Sequence, residues 1–352
     1  MSRLALVDWL PLPAVLVALA ALAFLLASAS SGKGRAPGRP APGEYVRPYG
    51  PRAPWNVPVA ELPRHPESDH YADLLWRTGC GARPGNFNLN FTWYTYPVYY
   101  VQDATGEYPT AIRNEWNNLY GKTIPWNPEW QPAPGADAQV IILDPETGRE
   151  WNLWQVEFRD GVVHATNGNL VDGDYRTKED GFPPSRGIGI QYLAMLVRPE
   201  EVAQGEIPHA LSMPVSNTCG ITHLPPATKQ EHSHGRPGIP EGMRFALDIS
   251  EQDIEDWIAS LPEGVPGPMR EYARIVAHAL RDYGWFITDT SGAAHLQHEA
   301  WVSAGPRWAE LGLEPLEIGG KEYPRDLLDG LMAPERIYAL VPSDQYPEHL
   351  RP

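Results

Sequence analysis

The chain has 352 residues, of which 42% by composition are hydrophobic and 20% charged, a balance that indicates a globular protein and excludes a disordered one. Its 44 Asp and Glu residues outnumber 28 Lys and Arg residues, and the resulting net charge of −16 argues against nucleic acid as a partner because phosphate backbones repel it. The same charge favours a neutral glycan over an anionic one, unless the fold builds a local basic cleft.

The first segment, residues 1–31, is predicted to be a signal peptide or an N-terminal membrane anchor. Almost every residue from Trp9 to Ala29 is apolar, Arg3 precedes this run, and Ala27-Ser28-Ala29 ends it with the small residues that signal cleavage requires. The run also approaches the roughly 20 residues that span a bilayer, so an uncleaved anchor stays open. Either alternative makes the rest of the chain secreted or attached to the cell envelope, and limits membrane contact to this segment.

The remainder divides into a linker and one domain. Residues 32–54 are rich in Pro, Gly and Arg and predict an extended linker, and residues 55–352 predict a single globular β-rich domain. Cys80 and Cys219 are disulfide candidates, because an oxidising compartment permits the bond. Two buried free thiols are the alternative, since sequence alone does not show that the two residues meet.

The middle of the chain predicts antiparallel strands. Residues 139–143 form a β-branched run, residues 144–148 form a turn, and residues 150–158 follow as one strand. Asp160-Gly161 then predicts a tight hairpin into residues 162–165. The 38 prolines argue against a helical bundle and for many loops and short strands.

Two helices are predicted later in the chain, and a short helical turn at residues 199–202. Ser250 and Asp253 have the spacing of a capping box at the start of the first helix. Its apolar stripe consists of Ile254, Trp257, Ile258 and Leu261. The second helix begins near Pro268 and ends at Gly284. The predicted fold class is mainly β or α+β: an antiparallel, jelly-roll-like β-sandwich with two or three short packing helices.

Aromatic residues are unusually frequent, with 13 Trp and 16 Tyr. Sugar rings stack on flat aromatic side chains, so exposed aromatics beside polar groups are typical of glycan sites. Trp93, Trp126 and Trp130 are the predicted substrate-binding tryptophans, because Pro and Asn residues flank them in apparent loops. The alternative for each ring is a place in the hydrophobic core.

The densest polar stretch, residues 167–180, is a candidate catalytic loop. Its candidates are Asp174 and Glu179 as catalytic carboxylates, and Tyr175 and Lys178 as substrate-binding groups. Paired carboxylates would suit a glycosidase, with one acid and one nucleophile or base. Lys, Arg and Tyr together would suit a polysaccharide lyase, which neutralises a uronate and removes its C5 proton. A solvated surface loop is the third alternative.

Three further candidates lie outside this loop. His209 stands at the entry to a predicted strand and Asp289 follows the strand that begins at Trp285; both are assigned catalytic roles. Arg186 is assigned to substrate binding. Structural roles are the alternative for each of them.

Metal binding has weak support in the sequence. Residues 231–234 and 295–299 are rich in His and Glu, but neither matches the helical H-E-x-x-H zinc signature. The loop at 167–180 does not match the EF-hand spacing either. We therefore predict no metal centre and no cofactor, and leave open only a structural calcium.

From Asp137 to about Glu299 the chain resembles an uncharacterised family of secreted bacterial β-rich proteins. The stretches that carry the resemblance are residues 137–144, 192–198, 207–211, 239–245 and 279–289. The resemblance implies an exported β-rich domain and carries no reaction with it.

These observations favour an exported protein that acts on extracellular polysaccharide by hydrolysing glycosidic bonds. In this hypothesis Asp174 or Glu179 pairs with Asp289, while His209 and Arg186 orient the substrate. The alternatives are a non-catalytic glycan-binding or cell-envelope protein, a polysaccharide lyase, and a structural surface protein whose aromatic residues all belong to the core.

Overall fold

The computed structural model describes residues 47–114, 117–181 and 185–352. The predicted signal peptide or anchor, and the predicted linker as far as residue 46, lie outside the described residues. All described residues belong to the compact unit Pro40–Pro352. None of the helices in the described ranges combines the length and apolarity that crossing a membrane requires.

The last part of the predicted linker, residues 47–54, is packed rather than extended. Tyr49 is buried, and its backbone N–H donates to the carbonyl of Tyr175 at 2.6 Å. The Tyr49 ring meets Trp55 edge to face at 5.3 Å. The folded chain therefore begins before Trp55, because Tyr49 contributes an aromatic ring to a hydrophobic core.

Strands outnumber helices along the described chain. The α-helices are α1 (Ser68–Leu74), α2 (Pro199–Gln204), α3 (Glu251–Ser260), α4 (Gly267–Asp282) and α5 (Trp301–Glu310). The strands are β1 (Phe87–Asn90), β2 (Val98–Tyr100), β3 (Gly106–Ile112), β4 (Thr123–Trp126), β5 (Val140–Asp144), β6 (Arg149–Trp154), β7 (Glu157–Arg159), β8 (Val162–Ala165), β9 (Asn167–Leu170), β10 (Leu211–Val215), β11 (Thr218–His223), β12 (Ile239–Glu241), β13 (Arg244–Leu247), β14 (Trp285–Thr290), β15 (Ala294–Gln297), β16 (Leu316–Ile318), β17 (Lys321–Tyr323) and β18 (Ile337–Ala339).

The described strands form three four-stranded sheets and three two-stranded pairs. The sheets have the orders β2-β5-β6-β9, β4-β3-β8-β7 and β10-β14-β13-β18, and the pairs are β1-β15, β11-β12 and β16-β17. Parallel and antiparallel pairing are mixed: β14 is parallel to β10 and antiparallel to β13. The fold is therefore mixed α and β and rich in strand. The sheets are open, and an antiparallel jelly-roll sandwich is not confirmed.

The strands predicted in the middle of the chain are present, with one correction. Asp160 and Gly161 have φ angles of 51° and 74°, as the predicted hairpin between β7 and β8 requires. The predicted single strand at 150–158 is interrupted at Gln155, whose φ angle is 56°. A residue in the left-handed region cannot continue a pleated strand, so β6 and β7 join different sheets.

The two long helices follow the capping signals in the sequence. The Ser250 hydroxyl accepts from the Asp253 N–H at 3.1 Å, and the Asp253 carboxylate accepts from the Ser250 N–H at 2.8 Å. The second helix ends at Asp282, shortly before Gly284 with its φ angle of 67°. Both helices pack against the third sheet in the largest hydrophobic core.

A buried arginine joins segments from the two ends of the described chain. The Arg244 guanidinium donates to the carbonyls of Pro54 at 3.0 Å and Val57 at 2.6 Å, and contacts the Tyr346 hydroxyl at 3.1 Å. A small hydrophobic core surrounds this contact and contains Val57, Val59, Leu62, Ala246, Leu340, Val341 and Tyr346. The C-terminal segment is thereby packed on the segment that opens the domain.

Cys80 and Cys219 are separate buried thiols, and no disulfide joins them. The predicted disulfide is therefore corrected in favour of its alternative. Burial raises the pKa of the Cys80 thiol to about 12, which keeps it protonated and unreactive at neutral pH.

Candidate active site

Polar side chains gather at one edge of the third sheet. β10 and β14 run parallel, from the pair Leu211–Trp285 to the pair Val215–Thr290, so their C-terminal ends lie side by side. Loops that leave parallel strands at the same edge commonly enclose a crevice. Asp289, the second-last residue of β14, lies at this edge and precedes a short turn into β15.

A cavity of about 240 Å³, which we call the acid cavity, opens beside Asp289. Its lining residues are Tyr94, Asp137, Gln139, Pro214, Asp289, Thr290, Ser291, Gly292, His295 and Gln297. Asp137 and Asp289 reach it from distant segments, before β5 and at the end of β14. His295 and Gln297 alternate along β15 with two core residues, so strand periodicity points both polar side chains at the cavity.

Two further carboxyl groups lie next to Asp289. One oxygen from each of Glu231, Glu241 and Asp289 is within 4.8 Å of the other two. The Thr290 N–H donates to Oε2 of Glu231 and to Oδ1 of Asp289, in both cases at 2.9 Å. The N–H of Glu231 donates to Oε2 of Glu241 at 2.8 Å. Main-chain donors therefore hold three acidic side chains together.

This clustering shifts the pKa values of Asp289 and Glu231 in opposite directions. Burial, a hydrogen bond to Glu231, and the charges of Glu231 and Glu241 raise the pKa of Asp289 well above its ordinary value. Burial opposes ionisation of Glu231, but hydrogen bonds from Asp289 and Thr290 outweigh it and lower the Glu231 pKa. The pKa of Asp289 is therefore raised and that of Glu231 lowered, as expected when one carboxyl group donates a hydrogen bond to its neighbour. Glu241 is 1% exposed, and this burial raises the pKa of its carboxyl group to about 7.

Two buried acceptors in the acid cavity have no partner among the described residues: Nε2 of His295 and Oε1 of Gln139. Burial lowers the pKa of His295 to about 4, so its ring is neutral. Nδ1 lies 3.2 Å from the carbonyl of Ala293 and donates to it, which leaves Nε2 as an acceptor. Buried polar atoms are normally paired, so these two acceptors leave hydrogen bonds unmade among the residues that line the acid cavity.

A larger cavity of about 630 Å³, the aromatic cavity, adjoins the acid cavity. The two cavities share Tyr94, Ser291, Gly292 and His295 as lining residues. Trp93 and Tyr94 line the aromatic cavity and are 60% and 44% exposed. Of the predicted substrate-binding tryptophans, Trp93 is thus on the surface of a groove that leads to Asp289.

Trp126 and Trp130 are corrected to core residues, 0% and 7% exposed. Their rings meet edge to face at 5.4 Å, and Trp130 stacks on Tyr99 at 4.8 Å. Flanking Pro and Asn residues indicated loops correctly for Trp130, but a loop residue can still turn its ring inward to bury apolar area.

Arg186 is buried and touches the site only through another side chain. Its guanidinium donates to the carbonyls of Tyr192 and Ala194 at 2.6 and 2.7 Å, and to Ser212 and Gln297 at 2.6 Å each. Gln297 lines the acid cavity. The predicted substrate-binding role is corrected: Arg186 is a positioning residue that fixes Gln297.

The loop at 167–180 does not supply the second carboxylate. Asp174 forms an ion pair with Arg176 at 2.6 Å, and Glu179 forms one with Arg52 at 2.8 Å. Neither side chain lines the acid cavity. The pairing of either with Asp289 is therefore corrected, and the other carboxyl group that lines the acid cavity is that of Asp137.

The remaining loop candidates also face elsewhere. Lys178 forms an ion pair with Asp180 at 2.6 Å, and Tyr175 packs against the second hydrophobic core. Neither of them lines the acid cavity, and Arg186 does not line it either.

His209 is a buried structural residue rather than a catalytic one. Its Nε2 lies 2.7 Å from Oε1 of Glu201, and its Nδ1 lies 2.8 Å from the carbonyl of Ala210. The charge of Glu201 overcomes burial and raises the His209 pKa. Both ring nitrogens are occupied, so no atom is left for substrate.

Asp137, Gln139, Glu231, Glu241, His295 and Gln297 were not predicted as site residues. The His- and Glu-rich runs at 231–234 and 295–299 were noticed only as metal candidates. The spacing of Glu231, Glu241 and Asp289 is one that a cation could bridge, but it equally suits a shared proton, and the cluster alone assigns no metal. A charged residue such as Glu241 at the end of an apolar strand was the available signal, since charge is rarely buried without a reason.

The titration of Glu241 predicts a pH-dependent stability difference. Its folded pKa of about 7 exceeds the ordinary 4.5, so its stabilising contribution is full below pH 4.5 and disappears as the pH rises to 7. Between pH 4.5 and 8 the wild type is expected to lose on the order of 3 kcal/mol of unfolding free energy through this ionisation. Glu241→Gln cannot ionise, so it should not show this loss. Urea unfolding of both proteins at the two pH values measures this difference. Identical pH dependence in the two proteins would show that Glu241 is not held neutral by the fold.

Comparison with models of known protein families, with curated proteins and with solved structures finds no match to this chain.

Proposed function

We propose that the chain is an exported enzyme that hydrolyses glycosidic bonds in extracellular polysaccharide. The observation that carries this proposal is a half-buried Asp289 with a raised pKa at the end of a groove with exposed Trp93 and Tyr94. A carboxylic acid kept neutral is what a general acid in glycoside hydrolysis must be. Aromatic faces beside it suit the apolar faces of sugar rings.

The acid cavity contains the groups that such a reaction needs. Asp289 donates its proton to the glycosidic oxygen as the bond to the anomeric carbon breaks. Asp137, the other carboxyl group in the cavity, acts as base toward water or as nucleophile. His295 and Gln139 line the cavity and carry unpaired acceptors, a chemistry that suits sugar hydroxyl groups as donors. Asp289 must be protonated to act, so activity falls as the pH rises through its elevated pKa.

Hydrolysis is favoured over elimination by the composition of the acid cavity. A polysaccharide lyase needs a cation and a base at the same sugar unit, the one that loses its C5 proton, and no Lys or Arg among the described residues lines the acid cavity itself. A non-catalytic glycan-binding protein would not need a proton shared between Asp289 and Glu231.

The proposal is tested by incubating the purified protein with a panel of soluble polysaccharides. We expect new reducing ends on at least one polysaccharide, without the ultraviolet absorbance of unsaturated sugars. Unsaturated products would support the lyase alternative, and binding without any cleavage would support the glycan-binding alternative. No binding and no cleavage across the panel would leave the proposal without support.

Two exposed aromatic residues provide a matched control for the groove. Trp93→Ala is expected to raise KM on the cleaved polysaccharide about five- to tenfold, because a stacked ring contributes about 1 kcal/mol. Tyr120, 52% exposed, lines a different cavity beside β3 and β8, and Tyr120→Ala should leave KM unchanged. Equal effects of the two substitutions would contradict the assignment of the aromatic cavity to substrate.

A further inference from the structure

A third cavity shares Thr290 with the acid cavity. It has a volume of about 390 Å³, and we call it the basic cavity. Thr290 lines both it and the acid cavity, so the two cavities adjoin, whereas Trp93 does not line it. His232, His234 and Arg236 line it, and no carboxylate does. The basic cavity is thus a local exception in a chain whose net charge is −16.

Two polar groups of this cavity, the Arg236 guanidinium and the Ser216 hydroxyl, are largely unused by the described part of the protein. In the described part of the chain, the Arg236 guanidinium forms no ion pair, and its Nε reaches only Nδ1 of His234 at 3.4 Å. The buried hydroxyl of Ser216, which also lines the cavity, has no hydrogen-bond partner among the described residues. An exposed guanidinium and an unpaired hydroxyl at the same cavity match the oxygens of an anion.

Two exposed histidines complete the lining of the basic cavity. His232 Nδ1 lies 3.5 Å from Oε2 of Glu231, and His234 Nδ1 accepts from the Arg236 N–H at 3.1 Å, so the unpaired positive charge of the cavity is that of Arg236. The aromatic cavity differs from the basic cavity, because Glu322 and Arg325 both line it and carry opposite charges. An anionic group is therefore best accommodated on the Thr290 side of Asp289.

We infer that the polysaccharide is acidic and that the basic cavity binds the carboxylate or sulfate group of a sugar unit next to the cleaved bond. This inference depends on the proposed function for the position of the cleaved bond, but not for the presence of the anion site. It replaces the neutral glycan that the overall charge favoured, because the local basic cleft that would reverse that preference is present.

The test measures binding and not turnover. Affinity electrophoresis is run with two acidic polymers, each beside a neutral counterpart. A polyuronate is compared with its fully methyl-esterified form, and a sulfated galactan is compared with its desulfated form. We expect the wild-type protein to bind one acidic polymer at least about tenfold more tightly than its neutral counterpart, and Arg236→Ala to remove most of that difference. Arg236→Lys should retain part of it, since the charge stays but the bidentate geometry is lost.

Arg351, exposed near the C-terminus, provides the control, and Arg351→Ala should bind as the wild type does. Preference for the polyuronate or for the sulfated galactan identifies which anion is recognised. Equal binding of acidic and neutral polymers, or equal behaviour of Arg236→Ala and Arg351→Ala, would overturn the inference even if a neutral glycan is cleaved. Selective binding of an acidic polymer without cleavage would support the anion site and count against the proposed hydrolysis alone.

Discussion

Asp289→Asn is expected to lower kcat on the cleaved polysaccharide by about 10²- to 10⁴-fold, the contribution of a positioned general acid. The amide keeps the shape of the carboxylic acid and can still donate to Glu231, but it cannot transfer a proton to the glycosidic oxygen. Reducing-end assays under saturating substrate measure the loss. KM should change much less than kcat, because the proton is transferred only as the bond breaks.

Asp172→Asn is the matched control, since Asp172 is exposed in the loop at 167–180 that sequence reasoning favoured. Its kcat should stay within about twofold of the wild type. A glycan substrate that bears a highly acidic leaving group needs little protonation and should partly restore turnover by Asp289→Asn. Full activity of Asp289→Asn on the natural polymer would remove Asp289 from the mechanism.

Arg186→Met is expected to destabilise the fold by at least about 3 kcal/mol, because several buried acceptors lose their donor at once. The affected groups are the carbonyls of Tyr192 and Ala194 and the side chains of Ser212 and Gln297. Methionine fills part of the volume but donates no hydrogen bond. The midpoint of urea unfolding reports the change, provided that the slope stays constant.

Arg52→Met gives the comparison. Arg52 is exposed and pairs with Glu179 at 2.8 Å, and such surface ion pairs contribute about 0–1 kcal/mol. A similar small effect for Arg186→Met would mean that water replaces its hydrogen bonds. Retained stability combined with lost activity would instead assign Arg186 directly to substrate.

Local signals predicted the elements that depend on neighbouring residues. The hairpin at Asp160-Gly161 and the helix that begins after Ser250 follow from turn and capping chemistry within a few residues. The break at Gln155 was missed because glutamine carries no signal for a left-handed backbone. The backbone conformation of such a residue is set by packing against segments that are distant in the sequence.

The candidate site was only partly predictable for the same reason. Asp289 could be identified from its place at the end of a strand. Its neighbours Asp137, Glu231 and Glu241 are separated from it in sequence and come together only through the parallel pairing and the loops around it. The composition gives the number of aromatic residues but not their exposure, so it could not distinguish the exposed Trp93 from the buried Trp126.

The contact of Arg244 with Pro54, Val57 and Tyr346 has a consequence for the order in which the domain forms. A ribosome makes Val57 well before Leu340 and Tyr346, so this small core cannot close until synthesis has passed Tyr346. Contacts between residues so distant along the chain slow folding, because a long loop must be closed before they form. A polypeptide ending before Leu340 would leave the apolar side chains of its opening segment in water.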